Sequence, residues 1–359
     1  MEICEQTIFT GTTPMAQGYK NIVEGDDYAL SSYSLPSSAR IFGQSNSANT
    51  ASLNNGLVML YGFPHVRGGL PNTTRTIDLA NGLDGYPISS VNNGLLSIYN
   101  RNGEVKLPQS FPDSLMYIGE GSYCPTIGNT PIVSGRVKLK APFIDRAAFS
   151  DCSGITSFDL DVSDKDNEGS YIKQGALHAT FSTHYGEPYV SSLKTVKIKG
   201  YENIDTPFGG TNSHNIRLDT LEIEGNGNTT AKLSQVAVKN TVVFGDGIKN
   251  IEGTFIWGWR QDGTGTTDTY CDSITFGKDI THIEGNRIWT EGVLKYGPYA
   301  TNKLYITKDD GVFLPSVSDN YSLTKAFGAC KKIYVPSVVY QDYLNNETWQ
   351  PLLTKVEPY

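Results

Sequence analysis

The chain is poor in charge. Only 18% of its 359 residues are Asp, Glu, Lys or Arg, below the ~25% of an ordinary globular protein. The net charge is −8, so there is no basic excess. Nucleic-acid binding draws on clustered Lys and Arg, and no nucleic-acid partner is expected. Long apolar runs are missing too. The longest, Leu57-Val58-Met59-Leu60-Tyr61, falls far short of the ~20 residues of a membrane-spanning helix, so membrane insertion is not expected. The start, Met1-Glu2-Ile3-Cys4-Glu5-Gln6, has no basic n-region and no apolar h-region. No secretory signal is read there; the expectation is a chain not exported by that route, or one that lacks its leader.

Chemistry-bearing patterns are also scarce. The five cysteines (Cys4, Cys124, Cys152, Cys271, Cys330) are odd in number and widely spaced, with no CxxC and no metal-ligand spacing. That argues against a disulfide framework. No G-x-S-x-G, P-loop, dinucleotide-binding or H-E-x-x-H motif occurs. The five histidines are scattered, and His178 and His184 have no third ligand in sequence reach. Neither a cofactor nor a metal is expected, and the chain is read as not an enzyme. Paired carboxylates for glycoside hydrolysis are a spatial feature, and among 37 acidic residues some pair always lies at a suitable distance.

What is abundant is Gly (37), Tyr (21) and Phe (14), a composition for strands and turns. Residues 1–110 carry 14 charges and residues 111–359 carry 52, so the first part is less charged per residue. It is also rich in loop sequence, such as Ser45-Asn46-Ser47-Ala48-Asn49-Thr50. Two regions are expected: a β-rich capping or attachment region over 1–110, with a soft boundary near 70–110, and a repetitive region over 111–359.

The repeats decide the expected fold. Phe244-Gly245-Asp246-Gly247-Ile248-Lys249-Asn250-Ile251-Glu252-Gly253-Thr254-Phe255-Ile256-Trp257 matches residues 276–289 at eight of fourteen positions, at an offset of 32. A fixed period of this size signals a solenoid. Weaker copies share an apolar–x–apolar strand: Val137-Lys138-Leu139, Phe158-Asp159-Leu160, Val196-Lys197-Ile198, Leu221-Glu222-Ile223, Val242-Val243-Phe244, Ile274-Thr275-Phe276, Leu304-Tyr305-Ile306 and Ile333-Tyr334-Val335. A period of two buries one face and frees the other. Five residues after a nearby Ile comes another large apolar residue: Ile144 to Phe149, Ile172 to Leu177, Ile251 to Ile256, Ile283 to Ile288. This predicts a turn or short helix packed on the strand layer. Thr76-Ile77-Asp78-Leu79, Leu96-Ser97-Ile98 and Leu115-Met116-Tyr117-Ile118 are candidate further coils. Gly and β-branched residues interrupt the apolar stretches, which disfavours helices.

Three cysteines recur at one point of the repeat, in Ala148-Phe149-Ser150-Asp151-Cys152-Ser153-Gly154-Ile155, Tyr270-Cys271-Asp272-Ser273-Ile274 and Ala326-Phe327-Gly328-Ala329-Cys330-Lys331-Lys332-Ile333. A thiol is a small hydrophobe that is often buried, so a structural stack is expected. Phe149, Phe327, Trp257 and Trp289 join it as expected core. The pattern I-x-x-x-A-F-x-x-C-x-x-L resembles the BspA-like leucine-rich repeat. Residues 144–155 match it almost fully and residues 326–333 match its second half. Lys332-Ile333-Tyr334-Val335-Pro336, with Tyr340, Tyr343, Trp349 and Val356, is similar to that family's C-terminal cap, from about residue 331. The middle departs: Ile256-Trp257 and Ile288-Trp289 replace Ala-Phe. The resemblance implies a leucine-rich-repeat solenoid with a binding or adhesion role. The expected fold is therefore mainly β with short helices and turns, a leucine-rich-repeat solenoid preceded by an irregular β-rich N-terminal region.

The acidic stretch Asp164-Lys165-Asp166-Asn167-Glu168-Gly169 resembles the first half of an EF-hand loop. Its twelfth position is Gly175, where a bidentate Glu is needed, so it reads as a solvated loop. The free middle residues of the strands form a row of Lys138, Asp159, Lys197, Glu222, Val243, Thr275, Tyr305 and Tyr334. Of these, Lys197, Glu222, Thr275, Tyr305 and Tyr334 are the candidate binding surface. Strands lie about 4.8 Å apart, which makes Tyr305 and Tyr334 neighbours, either a platform for a protein or surface glycan or a stabilising cross-strand pair. The functional expectation is a non-enzymatic recognition or structural protein, a phage virion component that attaches to a host or to other virion proteins, and a homo-oligomer. The alternatives are a leaderless cell-surface or extracellular adhesin and a polysaccharide-cleaving, tailspike-like β-helix.

Overall fold

The computed structural model describes residues 58–60, 75–76, 88–91, 104–106, 111, 113–120, 132–150, 152, 154–178, 192–209, 216–257, 271–284, 301–317 and 322–359. These residues are mainly β, with parallel pairing and short helices. Contacts divide the chain into two compact units, residues 1–160 with 172–192, and residues 161–171 with 193–359.

The first unit holds β1 (Val58–Leu60), β2 (Arg75–Thr76), β3 (Ile88–Val91), β4 (Glu104–Lys106), β5 (Tyr117–Ile118), β6 (Ile132–Leu139), β7 (Phe143–Ile144) and β8 (Gly154–Asp161). Each pairs in parallel with the strand after next: β1, β3, β5 and β7 form one ladder, and β2, β4, β6 and β8 form the other. Parallel partners need a crossover, and here each crossover supplies a strand of the other ladder. Val137 faces Phe158 and Leu139 faces Leu160, all buried. Lys138 and Asp159 pair between them, with Lys138 exposed. Beyond β7 the chain turns, burying Ala148 and Phe149, and the Phe149 ring meets Phe158 edge-on at 5.3 Å between centroids. Of the candidate early coils, Tyr117–Ile118 and Thr76 are strand, whereas Leu96-Ser97-Ile98 lies outside the described residues.

After the short β9 (Tyr171–Ile172), one ladder in the second unit runs through β10 (Thr195–Lys199), β12 (Ile216–Glu224), β13 (Thr229–Phe244), β15 (Cys271–Phe276), β17 (Thr301–Ile306), β19 (Lys332–Val335) and β20 (Val356–Pro358). Its register aligns Val196, Leu221, Val242, Ile274, Leu304, Ile333 and Val356 as one column, and every member is buried. A second ladder joins β11 (Asn203–Asp205), the first half of β13, β14 (Ile248–Trp257), β16 (His282–Ile283) and β18 (Ser316–Val317). The 32-residue repeat appears directly as register: Phe244 pairs with Phe276 and Ile251 with Ile283. Aromatic rings meet along the core in tilted contacts, Phe244 to Phe276 at 5.7 Å and Phe276 to Phe327 at 5.8 Å between centroids.

The segment from Ile251 to Ile256 is extended strand rather than the turn or short helix expected there. The cause is its neighbour. β13 is 16 residues long and keeps offering a partner, so β14 goes on pairing as far as Ala237–Ile256 and Val238–Trp257. Close backbone approach needs glycine at the corners: a Cβ on Gly277 would lie 2.4 Å from the Gly245 carbonyl carbon, a distance that forces the chain apart.

The C-terminal stretch has short helices, α1 (Leu323–Phe327), a 3-10 turn (Ser337–Val339), α2 (Tyr340–Leu344) and a second 3-10 segment (Gln350–Lys355). Ser322 caps α1, its hydroxyl accepting from the Lys325 N–H, as a hydroxyl at a helix start does. Leu323, Ala326 and Phe327 are the helix's buried side chains.

Candidate binding surface

The outward residues of the second unit's first ladder form a column. Lys197 pairs with Glu222, Glu222 with Val243, Val243 with Thr275, Thr275 with Tyr305, Tyr305 with Tyr334 and Tyr334 with Glu357. The five candidate residues Lys197, Glu222, Thr275, Tyr305 and Tyr334 therefore share one column. Strand alternation puts them there: each sits between two buried apolar residues and points the other way. The sequence reading missed Glu357, because β20 carries no apolar–x–apolar signature.

The column is not uniform. At one end Lys197 and Glu222 form an ion pair at 2.7 Å, and Lys199 and Glu224 form another at 3.2 Å. At the other end Lys332 is bonded to Glu357, which raises the lysine's pKa, first through that hydrogen bond and then through the carboxylate's charge. Between the pairs stand Val243, Thr275, Tyr305 and Tyr334, without charge. Tyr305 and Tyr334 stack at 4.9 Å between ring centroids with 16° between planes. The Tyr359 ring meets Tyr305 edge-on at 6.0 Å. Stacking covers one face of each ring, and both residues are partly exposed.

A parallel column lies beside it on the same face: Thr241, Ser273, Lys303 and Lys332 in register. The Ser273 hydroxyl donates to Thr241 Oγ1 at 3.3 Å. On the second ladder, Asn203, Thr230, Asn250, His282 and Ser316 align. They are tied in pairs by Asn250 to Thr230 at 3.0 Å and His282 Nδ1 to Ser316 Oγ at 2.9 Å.

Several carboxylates among the described residues accept from backbone N–H groups. Glu284 accepts from the Gly253 N–H at 2.5 Å, Asp279 from the Gly247 N–H at 2.9 Å, Asp246 from the Lys278 N–H at 3.1 Å and Glu202 from the Gly169 N–H at 2.7 Å. The acidic loop is held this way, with Asn167 Nδ2 donating to the Gly200 carbonyl at 2.7 Å. Asp164, Asp166 and Glu168 are exposed. No group of three or more potential metal ligands occurs among the described residues.

The cysteines lie inside. Cys152, Cys271 and Cys330 are free thiols and buried. Burial pushes the pKa of Cys271 and Cys330 up to about 12. The stack is not continuous: Cys271 pairs with Thr301, and the Lys303–Lys332 register extends to set Cys330 opposite Thr301. Thr301, itself buried, donates its hydroxyl to the Cys271 carbonyl at 2.8 Å. Phe149 and Phe327 are buried. Trp257 is described only as backbone, and Trp289 lies outside the described residues.

No protein-family model matches the chain, and no curated protein matches it in sequence.

Proposed function

We propose that the chain is a non-enzymatic recognition protein built as a leucine-rich-repeat-type solenoid. In this reading it is a virion component that attaches to a host or partner surface through the outward column from Lys197 to Tyr334. The observation that carries it is the in-register column itself: consecutive parallel strands bring one side chain each to a shared face, with a neutral, hydroxyl-bearing middle between paired charges. Repeat proteins use such extended faces for binding, and Tyr is enriched where proteins meet partners. The engagement of Glu284, Asp279, Asp246 and Glu202 with backbone N–H groups supports a structural use of the carboxylates over a catalytic one. The virion setting is supported by the low-charge N-terminal region joined to repeats, which suits a component held at one part and presenting another.

The test is an array of immobilised bacterial surface polysaccharides and surface proteins probed with the labelled chain. The expected result is saturable retention that drops at least tenfold in Tyr305→Ala/Tyr334→Ala, with the far-UV circular dichroism of the wild type retained at the assay temperature. Release of new reducing ends from any of the polysaccharides, or retention unaffected by the double variant, overturns the reading.

A further inference from the structure

Three hydroxyls on consecutive strands, those of Thr275, Tyr305 and Tyr334, have no hydrogen-bond partner among the described residues. Beside them Lys303 is exposed. It has no ion pair among the described residues, unlike its neighbour in the column, Lys332, which Glu357 engages. Thr241 and Ser273 extend the patch with two further hydroxyls. The six side chains occupy two adjacent outward columns over four strands, and no carboxylate belongs to either column between β13 and β19. In a chain of net charge −8, two adjacent columns with an ammonium and no carboxylate over four strands are a local change of sign; the exposed carboxylate that borders them, Asp272, accepts from Asn302 Nδ2 at 3.2 Å.

We infer that this patch, defined by Thr241, Ser273, Thr275, Lys303, Tyr305 and Tyr334, is a subsite for an acidic polysaccharide, one whose sugar units carry carboxylates; this deepens the recognition reading above and rests on it. The unpaired hydroxyls supply both donors and acceptors, which sugar hydroxyls match and an apolar peptide face does not. Strand spacing of ~4.8 Å repeats these groups along the ladder axis, a rise close to that of one pyranose in an extended glycan. Across four strands the patch spans about 14 Å on that spacing, room for about three sugars. Lys303 faces the middle of that span and meets a uronate carboxylate. Stacking occupies one face of each ring, and recognition is assigned to the hydroxyls and the charge rather than to stacking of sugars on Tyr.

Isothermal titration of the full chain with polygalacturonate oligomers, neutral cello-oligomers and poly-glutamate tests the inference. Polygalacturonate is expected to bind most tightly. Lys303→Gln is expected to weaken it at least tenfold, and Tyr305→Phe, which removes only the hydroxyl, several-fold. Both variants are expected to keep the wild-type melting temperature. Poly-glutamate binding as tight as polygalacturonate overturns the glycan assignment. Neutral oligomers binding as tightly, with Lys303→Gln silent, overturn the acidic class while the recognition reading stands. No binding by any of the three overturns the subsite, and the array of surface polysaccharides and proteins then decides the recognition reading separately.

Discussion

Trp349 donates its indole N–H to the backbone carbonyl of Phe313 at 3.0 Å. The other backbone group of Phe313 is held as well: its N–H donates to the Tyr343 hydroxyl at 2.9 Å. All three residues are fully buried. Phe313 lies outside the strands, so its buried backbone groups have no ladder partner, and two aromatic side chains supply the partners instead. Trp349 also stacks on Phe327 at 6.0 Å, so one side chain joins packing to polar satisfaction.

Trp349→Phe separates these roles. Phe keeps an aromatic ring against Phe327 but strands the Phe313 carbonyl, a buried unsatisfied acceptor that costs about 1–3 kcal/mol. Trp349→Ala removes both and is expected to cost ~3–5 kcal/mol. Urea unfolding followed by far-UV circular dichroism measures the difference. Equal losses in the two variants mean that the hydrogen bond contributes nothing separable from ring packing.

Phe149→Ala and Phe327→Ala each empty a site that has no solvent exposure. Each is expected to lose ~3–5 kcal/mol through lost transfer energy and the cavity left behind. A thermal melt of either variant that overlays the wild type contradicts the burial.

Cys152, Cys271 and Cys330 are expected to resist a disulfide-exchange reagent at pH 8. A variant with Cys4→Ser and Cys124→Ser makes the readout specific to these thiols. Reaction requires the thiolate, and burial lifts Cys271 and Cys330 to about 12. Because the folded values stand above the unfolded value of ~8.5, their contribution to stability is complete below that pH. It declines as pH rises toward 12. Fast labelling in native buffer is the contrary outcome; labelling at the rate of unfolding is the expected one.

Asp145 gives the opposite sign. Burial raises its pKa, but hydrogen bonds from Lys173, the Arg146 N–H and Tyr117 together outweigh burial and hold it below the ordinary carboxylate value. The Lys173 contact is 2.9 Å and the Tyr117 hydroxyl donates at 2.9 Å. A depressed folded pKa adds stability above the unfolded value of ~3.9 and loses it as pH falls through the folded value. Asp145→Asn is therefore expected to be less stable than wild type at pH 7, with the gap narrowing in acid. Urea midpoints measured from pH 7 down to pH 2.5 check this. A gap that stays constant across that range contradicts the role of the charge.

Much of the ladder was legible in the chain because a strand writes its burial into every second residue. The apolar–x–apolar triplets from Val137 to Val335 all lie in strands, and the 32-residue offset became the pairing of Phe244 with Phe276. Other features carried no such mark. Nothing in residues 251–257 distinguishes a turn from a strand; the length of β13 decides it. Thr301 takes the place between Cys271 and Cys330 because a buried hydroxyl that can reach a carbonyl substitutes for a thiol, and a search for repeated cysteines passes over it.

Local pattern alone therefore determined that the chain is mainly β, which residues turn inward, and which side chains alternate outward from Lys197 to Tyr334. Those properties follow from a two-residue period and need no partner. The tertiary structure decided which outward charges neutralise each other, which hydroxyls stay unengaged, and that Trp349 and Tyr343 satisfy Phe313. These depend on groups from strands and turns 20 to 40 residues apart meeting within hydrogen-bond distance, and registers between distant segments are fixed only when the chain packs.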